Sequence, residues 1–332
     1  MTVSPLWRAF WIAVAGATIL SLAILALAPR LALIELLPDQ GASWYYWKLP
    51  EPTVMSRVTA WGFYILHQLF FWGLIVWAQR NREALKDRRT LHPMNVIGLA
   101  GMLGFGLLHY LQTAVWYDGL AQDTSVWSSQ LSVVFLLVIV LIIEAPRRGL
   151  FFGYGGGWLA GARQVLIRYH GYYFAWAVTY TYWFHPMETT LGHLLGFWYT
   201  FLLMIQGALI FTRVHTNRWW TLVLEVTVLV HGTTVAIVGG QEFWPMFFFG
   251  FAGIFVVTQM HGLGLSRWLR GAFVAAYAAA VYVIYADRGW ENLNEIARIP
   301  VIDYVLVILI GGLIVGGLRL ASRRRKAGTP AE

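Results

Sequence analysis

About ten long apolar segments run through this chain, and they constrain its fold more than any other feature. Each segment is about 18–24 residues long, and a helix of that length crosses the ~30 Å hydrocarbon core of a bilayer. The segments cover residues 9–28, 58–78, 94–115, 126–145, 166–184, 189–212, 220–239, 243–260, 268–286 and 299–319. They predict an all-α fold, a polytopic membrane bundle of about ten transmembrane helices.

The apolar segments follow one another without a more polar domain between them. The chain is 58% hydrophobic and 12% charged, whereas soluble domains average roughly 45–50% apolar and about 25% charged residues. We therefore expect one transmembrane domain over residues 1–322 and a disordered cytoplasmic tail over 323–332. We expect the first segment to remain as an uncleaved span, because Pro29 would directly follow a signal-peptide cut.

Lysine and arginine are distributed unevenly between the loops. Of the 24 basic residues, 19 fall in one set of alternating loops and 5 in the other. Cytoplasmic loops collect basic residues, so this split predicts a multi-pass protein of the cell (inner) membrane with both termini in the cytoplasm. The same loops account for the net charge of +8, and no nucleic-acid partner is expected. The absence of cysteine excludes disulfides and thiolate metal sites.

Four predicted spans each place a histidine in their outer half. Neutral imidazole is the commonest protein ligand for transition metals, and it also binds haem iron. We predict that these residues form a metal or haem site: His67, His109, His193 and His231. His185 and Glu188, in the connection before the sixth span, are the predicted catalytic groups. The alternative is that each histidine only hydrogen-bonds across a helix interface, and no spacing matches a known metal motif.

The fifth segment has an aromatic face formed by Tyr173, Trp176 and Tyr180. Such a face could bind a flat or isoprenoid cofactor, and ordinary helix packing is the alternative. At the predicted cytoplasmic side, Arg213 or Arg218 is expected to pair with Glu225 and join two neighbouring spans.

Together these patterns favour an integral membrane enzyme or redox protein with a histidine-based site that acts on a lipid-soluble substrate. The enzyme class stays open, and a metal-dependent oxidoreductase is the one that the histidines favour. The alternative is an ion- or proton-coupled transporter or channel, with the same histidines as a relay. Besides the lipid bilayer and a lipid-soluble small molecule, the expected partner is another subunit bound through the Gly311–Gly317 helix, which has small residues four apart.

Overall fold

The computed structural model describes residues 4–38, 40, 47–147, 156–240 and 242–327. In these residues the chain is helical and contains no strand. The long helices are α1 (Pro5–Leu31), α2 (Val54–Arg80), α3 (Pro93–Val115), α4 (Val126–Glu144), α5 (Ala160–Trp183), α6 (Leu191–Ala208), α7 (Arg218–Val238), α8 (Trp244–Gly262), α9 (Arg267–Arg288) and α10 (Glu295–Ala327). Each overlaps one of the predicted apolar segments.

Nine of these helices, counted over the described residues, are long and apolar enough to cross a membrane. Large side chains such as Ile12 and Ile19 are 68% and 67% exposed, and such apolar surface suits lipid rather than water. The composition therefore indicates a membrane protein. α5, whose first half contains Arg163, Arg168 and His170, is not among the nine, so its passage through a membrane stays a prediction.

The last helix extends further than the apolar pattern predicts. α10 continues through Ala327, so the first residues of the expected tail over 323–332 are helical. Residues 328–332 lie outside the part of the chain that the structure describes. Arginine and lysine at the end of a helix favour its continuation, because they interact favourably with its negative C-terminal dipole.

The chain divides into two compact units. Unit 1 comprises Met1–Val133 and Gly171–Val238, and unit 2 comprises Val134–His170 and Gly239–Glu332. In unit 1, α6 packs against α1, α3 and α7. A Cβ on Gly98 of α3 would lie 3.0 Å from the Cβ of Ala208 in α6, so glycine allows the two helices to approach. The Asn95 amide donates hydrogen bonds of 2.8 and 3.0 Å to the carbonyls of Ala208 and Ile210, which closes the C-terminal end of α6.

In unit 2, α8 packs against both α9 and α10. The core of this unit includes Val138, Ile142, Ile254 and Val307. Gly311 of α10 belongs to the same packing, because a Cβ there would lie 2.4 Å from the Leu159 side chain.

Three other glycines of the predicted subunit contact, Gly312, Gly316 and Gly317, would place an added Cβ in open space. The subunit contact through this helix stays a prediction, and Gly311 is the one member that packs within its own chain.

Three loops of unit 1 form a connected group, which we call the loop cap: residues 47–53, 116–125 and 184–190. The backbone N–H of Ala121 donates to the carbonyl of Phe184 at 2.8 Å. The backbone N–H of Leu49 donates to Gln122, and the Gln122 amide donates back to the Leu49 carbonyl, both at 3.0 Å. The loop cap thus joins three segments that are distant in sequence.

Asp118 anchors the loop cap to α2. Its carboxylate is 3% exposed, lies 2.8 Å from the Arg57 guanidinium and accepts hydrogen bonds from the Ser56 hydroxyl and the Gly119 N–H, both at 2.8 Å. Arg57 also pairs with Asp123, whose side chain is 51% exposed.

We expect Asp118→Ala to lower the free energy of unfolding by about 3 kcal/mol, because the change leaves the partly buried Arg57 without its main partner. Asp123→Ala should cost no more than about 1 kcal/mol, since that carboxylate is exposed. Thermal unfolding of both variants in the same detergent measures the difference. Equal losses would contradict the assignment of Asp118 as the anchor.

Candidate functional site

The predicted site histidines lie in unit 1 on four helices and one loop. We call them the histidine row: His67 on α2, His109 on α3, His185 in the loop cap, His193 on α6 and His231 on α7. His67 and His109 are fully buried, and His193 is 9% exposed. Electrostatic interactions connect His109 with His67 and His185, and His193 with His185 and His231. The residues form a sequence of neighbours rather than a shell around one point.

Trp183 joins the two deepest members of the row. Its indole N–H donates a 3.0 Å hydrogen bond to Nδ1 of His67, and its ring stacks on His109 with 4.3 Å between centroids. Phe105 stacks on the other histidine, His67, with 4.0 Å between ring centroids. Because Nδ1 of neutral His67 accepts the indole proton, its own proton resides on Nε2.

Several buried polar side-chain atoms on α2 and α3 make no hydrogen bond of good geometry in the described residues, although the His109 imidazole contacts the His185 backbone. They are Nε2 of His67, both ring nitrogens of His109, and both amide atoms of Gln68 and Gln112. An unsatisfied buried polar group costs about 1–3 kcal/mol, and such groups in native proteins mark strain, catalysis or a bound water or ion. This set of unpaired groups is the most unusual feature of unit 1.

The other three histidines continue toward α7. The rings of His185 and His193 are in edge-to-face contact at 4.5 Å. Nδ1 of His193 lies 2.7 Å from the hydroxyl of Thr190, the residue that also caps the start of α6. His231 packs where Gly196 leaves room, since a Cβ on this glycine would come within 2.9 Å of the imidazole.

Glu188 lies in the loop cap three residues after His185. Its carboxylate is 8% exposed and accepts a hydrogen bond from the Tyr117 hydroxyl. Tyr117 itself is 1% exposed and has a φ of 45°. A bulky residue at positive φ is strained, and such strain concentrates at functional sites.

Burial shifts the two predicted catalytic groups in opposite directions. It raises the pKa of the Glu188 carboxyl above its ordinary value, while hydrogen bonds from Tyr117 and the Thr189 backbone limit the rise. Burial lowers the pKa of the His185 imidazole from 6.5 to about 4, although the bond to the Pro186 carbonyl acts against this change. At neutral pH His185 is therefore an uncharged base, and Glu188 holds its proton more readily than an ordinary glutamate.

These shifts predict that the protein loses stability in mild acid. The pKa of His185 is lower in the folded chain, so its contribution is fully present above about pH 6.5 and disappears as the pH falls toward 4. The contribution of His185 to the free energy of unfolding is below about 3 kcal/mol, because the ring is partly exposed and solvent weakens the effect. The raised pKa of Glu188 acts in the opposite direction, because its contribution is lost as the pH rises. Melting temperatures between pH 7.5 and 5.0 should fall more for the wild type than for His185→Gln; parallel curves would contradict this.

The predicted cofactor face on α5 is used for packing within unit 1. Trp176 and Tyr180 stack with 5.5 Å between centroids. The Tyr173 hydroxyl donates to the Ser132 carbonyl at 3.0 Å, and the hydroxyls of Tyr180 and Ser128 lie 2.7 Å apart. These bonds attach α5 to the start of α4, and cofactor binding by the three aromatic residues stays a prediction.

The arrangement does not assemble the predicted metal site. Across the described ranges, no three His, Asp or Glu side chains form a group that could hold one metal ion. A four-coordinate ion needs ligands at about 2.0–2.2 Å from one point, whereas the members of the row follow one another. Their assignment as metal ligands stays a prediction without structural support.

The expected ion pair at the other end of α7, between Glu225 and Arg213 or Arg218, stays a prediction. The guanidinium of Arg218 lies 5.3 Å from the centre of the Trp219 ring. A cation over an aromatic face retains most of its hydration, which favours this contact at a helix end.

Sequence reasoning missed Trp183 and Tyr117 as members of the site. Trp183 lies two residues before His185, and Tyr117 follows the apolar run of α3. The chain has 18 tryptophans and 16 tyrosines, so residue type alone does not single out these two.

A comparison of this chain with protein-family models, curated proteins and solved structures finds no match.

Proposed function

We propose that this multi-pass membrane protein transfers protons along the histidine row, between the loop cap and the interior of unit 1, for acid–base chemistry on a lipid-soluble substrate. The observation that carries the proposal is fully buried His109, whose imidazole contacts the His185 backbone but makes no hydrogen bond of good geometry in the described residues. A neutral imidazole accepts a proton at one nitrogen and releases one from the other, and both must be accessible to a partner such as water or substrate.

The loop cap supplies a proton donor and acceptor at the middle of the row, where His185 lies between His109 and His193. The carboxyl of Glu188 bonds to Tyr117, and His185 contacts His193. A carboxyl with a raised pKa in the same loop as a neutral imidazole offers the two kinds of group that general acid–base catalysis uses. At one end of the row, Nε2 of His67 has no partner in the described residues, and its N–H is a donor for a substrate oxygen.

The positive-inside rule supports an orientation with the loop cap outside the cell membrane and both termini in the cytoplasm. The same row would serve a proton-coupled transporter, which is the alternative function. Ionisable residues in membrane helices mark proton relays in both classes of protein. The two functions differ in whether protons cross the membrane in the absence of substrate.

Two measurements on reconstituted protein test the proposal. Infrared difference spectra after a rapid drop in pH should show protonation changes at carboxyl and imidazole groups. Proteoliposomes under a potassium diffusion potential should show no steady proton flux. Steady flux would favour the transporter, and spectra without imidazole changes would contradict proton transfer by the row in either function. Metal bound stoichiometrically and lost on His193→Asn would revive the metal-site prediction.

A further inference from the structure

Unit 2 contains a cleft of about 300 Å³ between the end of α8 and the start of α9. The apolar part of its lining includes Val256, Val257 and Val274. The basic part includes His261, Arg267 and Arg270. None of these residues belongs to unit 1, so the cleft is independent of the proposed proton transfer.

The polar atoms that are unpaired in this cleft are hydrogen-bond donors. Nη1 of Arg270 lies 3.4 Å from Nδ1 of His261. Since the guanidinium can only donate, Nδ1 is the acceptor and the proton of the neutral imidazole resides on Nε2. Nε of Arg270 and Nε2 of His261 are both buried without a partner in the described residues. Two unsatisfied N–H groups on residues that line one cleft require an acceptor, and an oxyanion provides several.

The charge of the cleft is uncompensated. No ion pair in the described residues involves Arg267 or Arg270. The Arg267 guanidinium instead lies 5.2 Å from the centre of the ring of Trp268, a side chain that is 78% exposed. Tryptophan and arginine at the ends of membrane-spanning helices lie at the level of the lipid headgroups.

From these observations we infer that the cleft binds the headgroup phosphate of an anionic phospholipid. The arginines and His261 donate to the phosphate oxygens, and the valines of the lining contact the start of an acyl chain. The two positive charges favour a lipid with net negative charge over a zwitterionic one. The apolar part of the lining favours a lipid over free phosphate, because free phosphate has no apolar part to bury.

Glycine provides a way to block the cleft without removing a charge. Gly271 lines the cleft, and a Cβ there would meet no atom within 4 Å. A bulky side chain at this position therefore fills the space that the lipid would occupy. The change also replaces glycine within a helix, which does not by itself weaken the helix.

Native mass spectrometry of the full chain in detergent tests the inference, with phosphatidylglycerol, phosphatidylcholine and inorganic phosphate as separate probes. We expect the wild type to bind phosphatidylglycerol at least about tenfold more tightly than phosphatidylcholine, and Arg270→Gln and Gly271→Phe each to weaken phosphatidylglycerol binding about tenfold. Arg298→Gln is the matched control, because this arginine bonds to Asn294 outside the cleft.

Wild-type affinity in both cleft variants, with monodisperse elution and unchanged helicity, would overturn the assignment. Equal binding of the two lipids would show that net charge is not recognised and would also overturn it. If inorganic phosphate at millimolar concentration displaces phosphatidylglycerol completely, the site recognises phosphate alone and the lipid assignment is wrong.

Discussion

Replacing Gly119 with alanine is expected to abolish accumulation of the folded protein. A Cβ at this position would lie 2.6 Å from both the Cα of His185 and the carbonyl oxygen of Phe184, and 2.9 Å from the His185 nitrogen. These are backbone atoms, which cannot move aside as a flexible side chain does. Separating the loops would also break the hydrogen bond from Arg57 to the Gly119 carbonyl, which is 3.0 Å long.

The expected loss in the free energy of unfolding is about 3 kcal/mol or more, the upper end for overpacked substitutions. Gly104→Ala is the matched control, because an added Cβ there would meet no atom within 4 Å. That change should leave stability equal or raise it by about 0.5–1 kcal/mol, since alanine favours the helix. Size-exclusion profiles and thermal unfolding of both variants give the comparison. A Gly119→Ala protein as stable as the control would disprove the contact between the two loops.

Replacing His109 with phenylalanine is expected to increase stability and to stop proton transfer. Phenylalanine retains the stacking on Trp183 and the contacts with Tyr182 and Phe197, whose rings surround the imidazole at 4.3, 4.7 and 5.6 Å. It removes two buried nitrogens that make no hydrogen bond of good geometry among the described residues, at the loss of one contact with the His185 backbone. Losing them should add about 1 kcal/mol or more of stability, because no desolvated polar atom remains.

In this variant, imidazole groups deeper than His109 should become protonated at least about 100-fold more slowly after a pH drop. Phenylalanine has no nitrogen that could pass a proton on to them. His170→Gln is the control, because this histidine lies in unit 2. A His109→Phe protein with wild-type protonation kinetics would remove His109 from the path. A destabilised variant would instead show that its nitrogens make contacts that the fold needs.

The positions of the helices could be predicted because membrane helices are defined by a local property. A run of apolar residues must be about as long as the bilayer is thick, so the predicted limits 94–115 and 126–145 lie within one residue of Pro93–Val115 and Val126–Glu144. α5 begins at Ala160 rather than at 166, because the added turn is polar and hydropathy cannot detect it. The end of α10 was missed for the same reason.

The contacts of the site depend on which helices are neighbours, and hydropathy does not contain that information. The sequence showed that His67 and His109 lie within spans, but not that Trp183 bridges them. The pairing of Glu225 rests on closeness in sequence alone and stays a prediction, and the contact of Arg218 with the Trp219 ring had no signal in the sequence. The glycines that decide packing, Gly98 and Gly119, have no distinguishing pattern, because each is defined by the segment that it touches.

The two units are interleaved along the chain, and this has a consequence for synthesis. Unit 1 needs Met1–Val133 and Gly171–Val238, and unit 2 needs Val134–His170 and Gly239–Glu332. A ribosome that has completed α4 has therefore produced parts of both units and the whole of neither. Unit 1 becomes complete only when α7 is translated, and unit 2 only when α10 follows. Any fragment cut from one end of the chain consequently contains an unfinished unit, and Val134–His170, the smaller part of unit 2, is made first and lacks its partner helices until Gly239–Glu332 is translated.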